Sequence, residues 1–596
     1  MSTEDIRTAP SCRVYLPKSV SEISPGRVPV RSISAELTDQ QPDHVNTEPL
    51  DLMRHYSLVE MTRFNYELEE SMTAPQSGLY AGEGDVKIRI SHKGPQQPEV
   101  PDVFDQLETL IKEQSPRSSV AEVLIELGTP LVSVGVLEAG NIRTKILGSP
   151  KVDDTKTSRR PGTPFNTDTI FQACSISKAI TALAVLKLCQ EGKLDLDTPI
   201  YRYLAPDQLS WICTAKTHDL ASQITLRQLL SHTAGLSVHG FPGYSTSELP
   251  TLQQQLTGAA PANHPPVTVA LIPGQKLCYS GGGYTVIQLI LERLRRKSYY
   301  KIMYDTVLKP LSMTRSTYEV LTLDKENYAP AYLNGKVQAT PDHHSQPESA
   351  AAGLWTTPGD ILKAVRAIQQ SLESNGFLER TWAEKMLTEV EDNGVGLGWW
   401  GKKDDAYFFH AGDNMPGYMC FGGGYMNRDN KQGANAVSTQ KGKEKETTES
   451  ESERRQIPTN CGISVMTNSA QGSRVIGKVL SAIAYLKGWP DMSTLYMGIP
   501  FVDRHKPVDD RARQWCGSWG FGKWSVFDDN GLFVKFGTSA RVPLVPAAIP
   551  PTVYKEGDSI DLVVDGLEML LRLGWREGSR IIELRQDRES KILERQ

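Results

Sequence analysis

The sequence predicts an α+β protein: an antiparallel sheet flanked by helices, with an all-helical lid and a small C-terminal β domain. Three observations carry this expectation. Strand-like runs lie on both sides of a long stretch, 195–390, whose pattern is mostly helical. The run Ala179-Ile180-Thr181-Ala182-Leu183-Ala184-Val185-Leu186 is rich in helix formers and apolar nearly all round, which describes a helix buried on every side. Beyond Trp515, short segments such as Gly531-Leu532-Phe533-Val534-Lys535-Phe536 alternate with period two, the pattern of a small antiparallel sheet.

At 596 residues the chain is longer than one core usually supports, so two or three units are expected. Residues 1–50 are rich in Ser, Pro, Thr and charge without a period and read as disordered or loosely attached. Within 51–101, Asp85-Val86-Lys87-Ile88-Arg89-Ile90-Ser91 alternates and predicts an edge strand, and Pro-rich sequence at 95–101 closes an extension, 1–101, of no assignable role. The main unit, 102–490, opens on a helix over 103–113. A strand at 131–137, a turn at Ala139-Gly140 and a strand at 142–147 form a hairpin. Gly192 is suited to cap the buried helix at its C-terminal end. Thr357-Pro358-Gly359-Asp360 starts another helix, with Thr357 as N-cap, Pro358 at N1 and Asp360 at N3, so the neighbouring Ala351-Ala352-Gly353 reads as packing. The sheet is expected to resume with 396–400, a strand ending at His410, and strands at 419–426 and 462–468. Between the last two, 427–458 is a polar insert that reads as a solvated loop. A helix over 473–488 packs back on the sheet, and a Pro-containing linker leads to the C-terminal β domain, 505–596.

Chemistry concentrates in three places. Ser175-Ile176-Ser177-Lys178 stands where the buried helix begins. Residues three apart share a helix face, so the lysine reaches the serine hydroxyl without help from distant parts of the chain. A serine hydroxyl attacks only after something takes its proton, and a lysine does this where desolvation or a nearby cation disfavours its charged form. The apolar helix supplies that burial. Ser175 also lies among free backbone N–H groups at the positive end of the helix dipole, a setting for an oxyanion. A capping serine followed by a solvated lysine is the commoner meaning of this spacing. An apolar helix argues against it, because a buried lysine needs a reason to be there. The spacing recurs at Ser438-Thr439-Gln440-Lys441 inside the polar insert and is rejected there for want of an apolar face.

Second, a Pro273-Gly274 turn leads to Tyr279 and the triple glycine Gly281-Gly282-Gly283. A phenol hydrogen-bonded to Ser175 and Lys178 would pass a proton to the leaving group, and the glycines, Gly281 first, would leave space for substrate. A core tyrosine before a helix-starting loop fits the same residues. Third, Tyr407-Phe408-Phe409-His410-Ala411-Gly412-Asp413-Asn414 reads as an aromatic strand whose edge at Gly412 and Asp413 would offer a second oxyanion N–H, from Asp413. His410 by itself reads as structural.

In this order, Ser-x-x-Lys, Tyr-Ser-x and a His-x-Gly strand resemble the serine beta-lactamase and penicillin-binding-protein superfamily. His410-Ala411-Gly412 in place of Lys-Thr-Gly, and Tyr279-Ser280-Gly281 in place of Tyr-x-Asn, look like its class C branch, which holds D-aminopeptidases, esterases and acyltransferases. Leu229-Leu230-Ser231-His232-Thr233-Ala234-Gly235-Leu236 and the run from Ala351 to Asp360 look like further landmarks. The resemblance covers 102–490. It implies a beta-lactamase/transpeptidase-like fold, a β-barrel in the C-terminal domain, Ser175 as nucleophile, Lys178 as base and Tyr279 as proton relay. The N–H groups of Ser175 and Asp413 would hold the oxyanion, and His410 would orient Tyr279 or the substrate. Gly281 in place of the asparagine argues against a tuned beta-lactamase, and Met415 is an extra residue after His410. The expected activity is hydrolysis of an ester or amide of a small molecule or short peptide through an acyl-enzyme. Acyl transfer in a natural-product pathway is the alternative. A non-catalytic binding protein is the third reading, against which the intact Ser175, Lys178 and Tyr279 argue.

The formal net charge of −5 and the lack of a basic cluster give no footprint for nucleic acid or an anionic membrane surface. The first residues, Met1-Ser2-Thr3-Glu4-Asp5-Ile6-Arg7, lack the charged and apolar regions of a signal peptide, and no apolar stretch is long enough to span a bilayer, so a cytoplasmic protein is expected. Eight cysteines are scattered without metal or disulfide spacing, and Cys174, Cys189 and Cys278 sit in apolar runs, which reads as reduced core residues. No metal or cofactor is expected, since no residues have ligand spacing and the mechanism asks for none.

Overall fold

The computed structural model describes residues 12–13, 66–71, 87–92 and 101–595, leaving out within the last range 116–117, 150–161, 320–326, 334, 339–341, 391–393, 402–406, 427–458, 494–497, 521, 551–552, 555–556 and 587–588. The polar insert, with Ser438 and Lys441, therefore lies outside the described residues, as does the reading of 1–50 apart from Cys12–Arg13. The chain divides into two compact units, Met1–Pro101 and Asp102–Gln596.

In the first unit, β1 (Cys12–Arg13), β2 (Tyr66–Ser71) and β3 (Lys87–His92) form an antiparallel sheet in the order β1-β3-β2. The segment expected at an edge is therefore the middle strand. Alternation reveals a strand, but its place in a sheet depends on partners far away in sequence.

In the second unit, β4 (Leu131–Glu138) and β5 (Asn141–Gly148) form the expected hairpin, and β6 (Tyr407–Asn414), β7 (Tyr418–Tyr425) and β8 (Gly462–Thr467) complete an antiparallel sheet in the order β6-β7-β8-β4-β5. The two halves join where β8 pairs with β4, placing Val465 opposite Val134. Strand β4 is buried on both faces, because each face carries helices. Val132, Val134 and Val136 pack with α1 (Val103–Glu113), α2 (Val120–Glu126) and α7 (Gly472–Lys487), while Leu131 and Leu137 face the core that holds α3 (Ile176–Gln190) and α6 (Pro358–Glu373). Helix α6 begins as the sequence predicts, with Pro358 at N1 and the Thr357 hydroxyl accepting from the Asp360 N–H at 3.3 Å.

Two further expectations need correction. Residues 396–400 do not form a strand. They make a tight loop with Gly398 at φ +84° in which Trp400 alone pairs with the sheet, at Phe409. The N–H groups of Leu397 and Gly398 instead bond Met386 O and Leu230 O in the helical region. The lid is also not purely helical. Beside α4 (Gly281–Arg295) and shorter helices it carries the hairpin of Tyr332–Leu333 with Lys336–Val337, and Trp355–Thr356 pairs with Phe171–Gln172.

The C-terminal domain is a barrel-like antiparallel sheet of eight strands in sequence order, from β9 (Gly517–Trp519) to β16 (Glu589–Glu594). Gly520 N donates to Glu594 O at 3.1 Å and Trp519 bridges Arg595, so the first and last strands meet around a core containing Trp515, Trp519 and Leu573. The domain docks on the main unit through Arg504, which bonds both Glu113 O and Asp565, and through the buried Lys478, whose Nζ donates to Ile499 O at 2.5 Å and lies 3.3 Å from Glu568. Among the described residues no helix is long and apolar enough to cross a membrane.

Candidate active site

Helix α3 is buried from Ile176 to Leu186, as its composition requires, and Ser175 is its N-cap. Its hydroxyl makes no capping bond, which leaves it free for other work. Lys178, 2% exposed, places Nζ 3.1 Å from Ser175 Oγ and donates to Ala351 O at 2.8 Å. That carbonyl belongs to α5 (Ser349–Ala352), in the run whose sequence suggests packing alone. A backbone acceptor has no side-chain signature, so sequence could not reveal this role. Cys174, buried and at φ +49°, makes the sharp turn that delivers Ser175 to the helix. Burial pushes its thiol well up, so it is an inert neighbour of Ser175.

Strand β6 approaches the helix start closely. A Cβ on Gly412 would fall 2.4 Å from Ser175 N, so only glycine permits this contact. Among the described residues Ser175 N–H donates to no backbone acceptor, and Gly412 and Asp413 border the same cavity. Ser175 N–H and this strand edge therefore share the space where an oxyanion would form.

Tyr279 lines the cavity with its ring centroid 5.1 Å from Lys178 Nζ. Among the described residues no hydrogen bond joins its hydroxyl to Ser175 or Lys178, in contrast to the expected contact; the amine sits over the ring. Two histidines to which the sequence assigns no part in the site bracket this ring: His232 at 4.2 Å and His239 at 4.7 Å between centroids. Buried His232 adopts φ +59°, and its Nδ1 accepts from the Ser280 N–H at 3.1 Å, which fixes the backbone just after Tyr279. Its signal lay in the Leu-Ser-His-Thr run, but nothing in sequence says which residue it holds.

His410 is 2% exposed, with Nδ1 2.7 Å from Ala411 O, so Nδ1 carries the proton and Nε2 is left as an acceptor. Burial, with the charge of Lys178 adding to it, pulls its pKa down to about 3. The same two causes push His232 well below the usual histidine range. Both imidazoles are neutral at ordinary pH.

Gly281 is placed differently from the expectation. It is the first residue of α4, and a Cβ there would meet the Phe241 ring at 2.8 Å, so it backs the pocket wall rather than lining the cavity. The glycine run serves packing of α4 beneath the 237–242 loop.

The cavity holds about 710 Å³. Phe241, Pro242, Trp400, Phe409, Met415 and Met419 give it an apolar wall, and besides the histidines and Tyr279 its ionisable lining residues are Lys178 and the exposed Asp413. Among the described residues no group of three or more His, Cys, Asp or Glu side chains could hold a metal ion.

Residues 106–477 match the Beta-lactamase family, more than half of the chain, and the chain belongs to that family. Protein flp of Staphylococcus aureus is 25% identical over 281 residues, covering 42% of this chain and 50% of that protein. Protein Rv1367c of Mycobacterium tuberculosis is 32% identical over 229 residues, covering 35% of this chain and 55% of that protein. The chain thus spans about half the length of the curated relatives it matches. Among solved structures, the octameric penicillin-binding protein homologue from Pyrococcus abyssi is similar at 19% identity and a TM-score of 0.46, covering 82% of this chain and 100% of that one. The D-amino acid amidase from Ochrobactrum anthropi is similar at 20% identity and a TM-score of 0.42, covering 62% and 91%.

Proposed function

We propose that this protein is a serine hydrolase that opens an ester or amide bond of a small molecule or short peptide through an acyl-enzyme on Ser175. The observation that carries this reading is Lys178 Nζ, 3.1 Å from the Ser175 hydroxyl, which makes no capping bond, with both residues lining a largely apolar cavity. Lys178 takes the Oγ proton as Oγ bonds to the carbonyl carbon. Ser175 N–H and the Asp413 N–H receive the oxyanion, and Tyr279 passes a proton to the leaving group as its bond to carbon breaks. Water then attacks the acyl-enzyme and regenerates Ser175.

The wall favours an uncharged acyl group. Neutral His410 stands where the superfamily pattern has lysine, so a substrate carboxylate meets no cation from that residue. A cavity of about 710 Å³ has room for both an acyl chain and an acceptor, which supports a second reading in which an alcohol or amine replaces water.

A fluorophosphonate probe should add one phosphonyl group to the peptide containing Ser175 and none to Ser175→Ala. Equal labelling of the two proteins would overturn the assignment. The pocket reading adds that kcat/KM for a short-chain p-nitrophenyl ester should exceed that for nitrocefin, and the reverse order would mean that an anion site exists in this cavity.

A further inference from the structure

Behind the apolar wall lies a buried ionisable pair that the acyl-transfer chemistry does not use. The Phe241 ring, which lines the cavity, meets His264 edge-on at 4.8 Å. The His264 side chain is 3% exposed and that of Glu348 wholly buried, with Nε2 of the histidine 3.4 Å from Glu348 Oε1. Its Nδ1 lies 2.9 Å from Pro265 O. Both ring nitrogens therefore face acceptors. A neutral imidazole with its N–H on Pro265 O would set the Nε2 lone pair against the carboxylate, whereas an imidazolium sets positive charge there; among the described residues Nε2 makes no hydrogen bond, so its contact with Glu348 is an ion pair.

Both contacts of Glu348 fall on Oε1, and among the described residues its Oε2 has no hydrogen-bond partner. Tyr244 OH donates to its Oε1 at 3.4 Å and accepts from Asn263 N at 3.2 Å, which holds the far end of the same loop. Glu348 is also the residue that enters α5, where the Ala350 carbonyl accepts from Thr181, that of Ala351 from Lys178 and that of Ala352 from Asn414. One carboxylate thus joins the loop that carries the substrate wall to the turn that holds the catalytic amine.

We propose that His264 and Glu348 form a buried imidazolium–carboxylate clamp, with His264 a positioning residue that seats Phe241 on the substrate cavity and keeps the Ala351 carbonyl on Lys178. Among the described residues the titratable group facing His264 is Glu348, whose Oε1 also accepts from Tyr244. His344, on the neighbouring segment, places its Nδ1 3.0 Å from Pro242 O instead. Burial opposes charge on His264, but Glu348 and the Pro265 carbonyl outweigh it and its pKa is raised. Tyr244, pushed up to about 12 by burial and by Glu348, stays protonated. With the folded pKa raised, the clamp is intact below the usual histidine pKa and opens as pH rises through the higher folded value.

The proposal rests on the acyl-enzyme reading, so its test carries a readout independent of turnover. In the wild-type protein, limited proteolysis within 237–270 should accelerate from neutral to alkaline pH, and KM for p-nitrophenyl octanoate should rise over the same range while fluorophosphonate labelling of Ser175 persists. Glu348→Gln should raise KM for the octanoate ester roughly tenfold at neutral pH, as the ion pair is lost, and little at alkaline pH, where the wild-type clamp is already open, with a smaller effect on the acetate ester. His264→Gln, which donates to Glu348 without titrating, should flatten the alkaline limb and remain labelled. Folded variants that keep the wild-type KM and alkaline limb would overturn the clamp, and so would pH-independent proteolysis of the wild-type loop if neither variant folds. Loss of Ser175 labelling in the wild type would overturn the acyl-enzyme reading and leave the proteolysis result to decide the clamp.

Discussion

Lys178 is the residue whose chemistry can be separated most cleanly from its place in the fold. Its aliphatic stem fills the core beside Ser175, and its amine reaches Ser175 Oγ and Ala351 O. Arginine would retain the length and the donors but stays protonated at any working pH, so it cannot take the serine proton. Lys178→Arg should therefore fold and lose acylation, with no recovery at alkaline pH. If it keeps more than about a tenth of the wild-type rate, roughly 1.4 kcal/mol of barrier, the base lies elsewhere. This pair was legible in the sequence because helix spacing alone brings three-apart residues together. The Ala351 carbonyl, His232 and His239 were not, since they reach the site from lid segments distant in sequence from Ser175, through tertiary contacts that no local spacing encodes.

At the scale of elements, the site depends on how closely β6 can approach α3. Gly412 sets that approach, and a methyl group 2.4 Å from Ser175 N would push the strand from the helix start while the strand pairing of His410 with Gly422 holds the rest of β6 in place. Gly412→Ala should fold, judged by circular dichroism, and lose roughly a hundredfold or more in kcat, the range seen when one oxyanion donor is displaced. Wild-type kcat in that variant would show that the strand edge takes no part in the reaction. Elements with strong local signals, such as α3, α6 with its Thr357 cap and the β4–β5 hairpin, are readable from sequence. The 396–400 loop is not: its apolar and aromatic residues imitate a strand, whereas its backbone donors are claimed by the lid at Met386 and Leu230. Gly281 was misplaced for a related reason, because a glycine needed for the Phe241 ring to pack looks in sequence like one needed for substrate.

Across the whole molecule, the sheet is closed by strands from the two ends of the catalytic unit, so the lid between them is held at both roots by β8 pairing with β4. This long-range pairing left no trace in local pattern beyond strands on both sides of a helical stretch. The burial that builds the site also sets how the protein responds to acid. His410 and His232 are buried and neutral, with folded pKa values depressed to about 3 for His410 and well below the usual range for His232. The unfolded chain binds protons at both positions once pH falls below about 6.5, while the folded protein does not. Stability is therefore present above that pH and is lost progressively as pH falls toward the folded values, each histidine contributing up to about 1.4 kcal/mol per pH unit. Carboxylates add to the acid limb but are common to any histidine variant, so the difference between two proteins isolates the imidazole. His410→Gln removes one proton from this balance. Its melting temperature should fall less steeply than that of the wild type on acidification below pH ~6, with the two curves running parallel above neutral pH. Parallel curves on the acid side as well would mean that His410 takes up its proton in the folded state, and that the cavity beside Ser175 is wetter than its buried histidine implies.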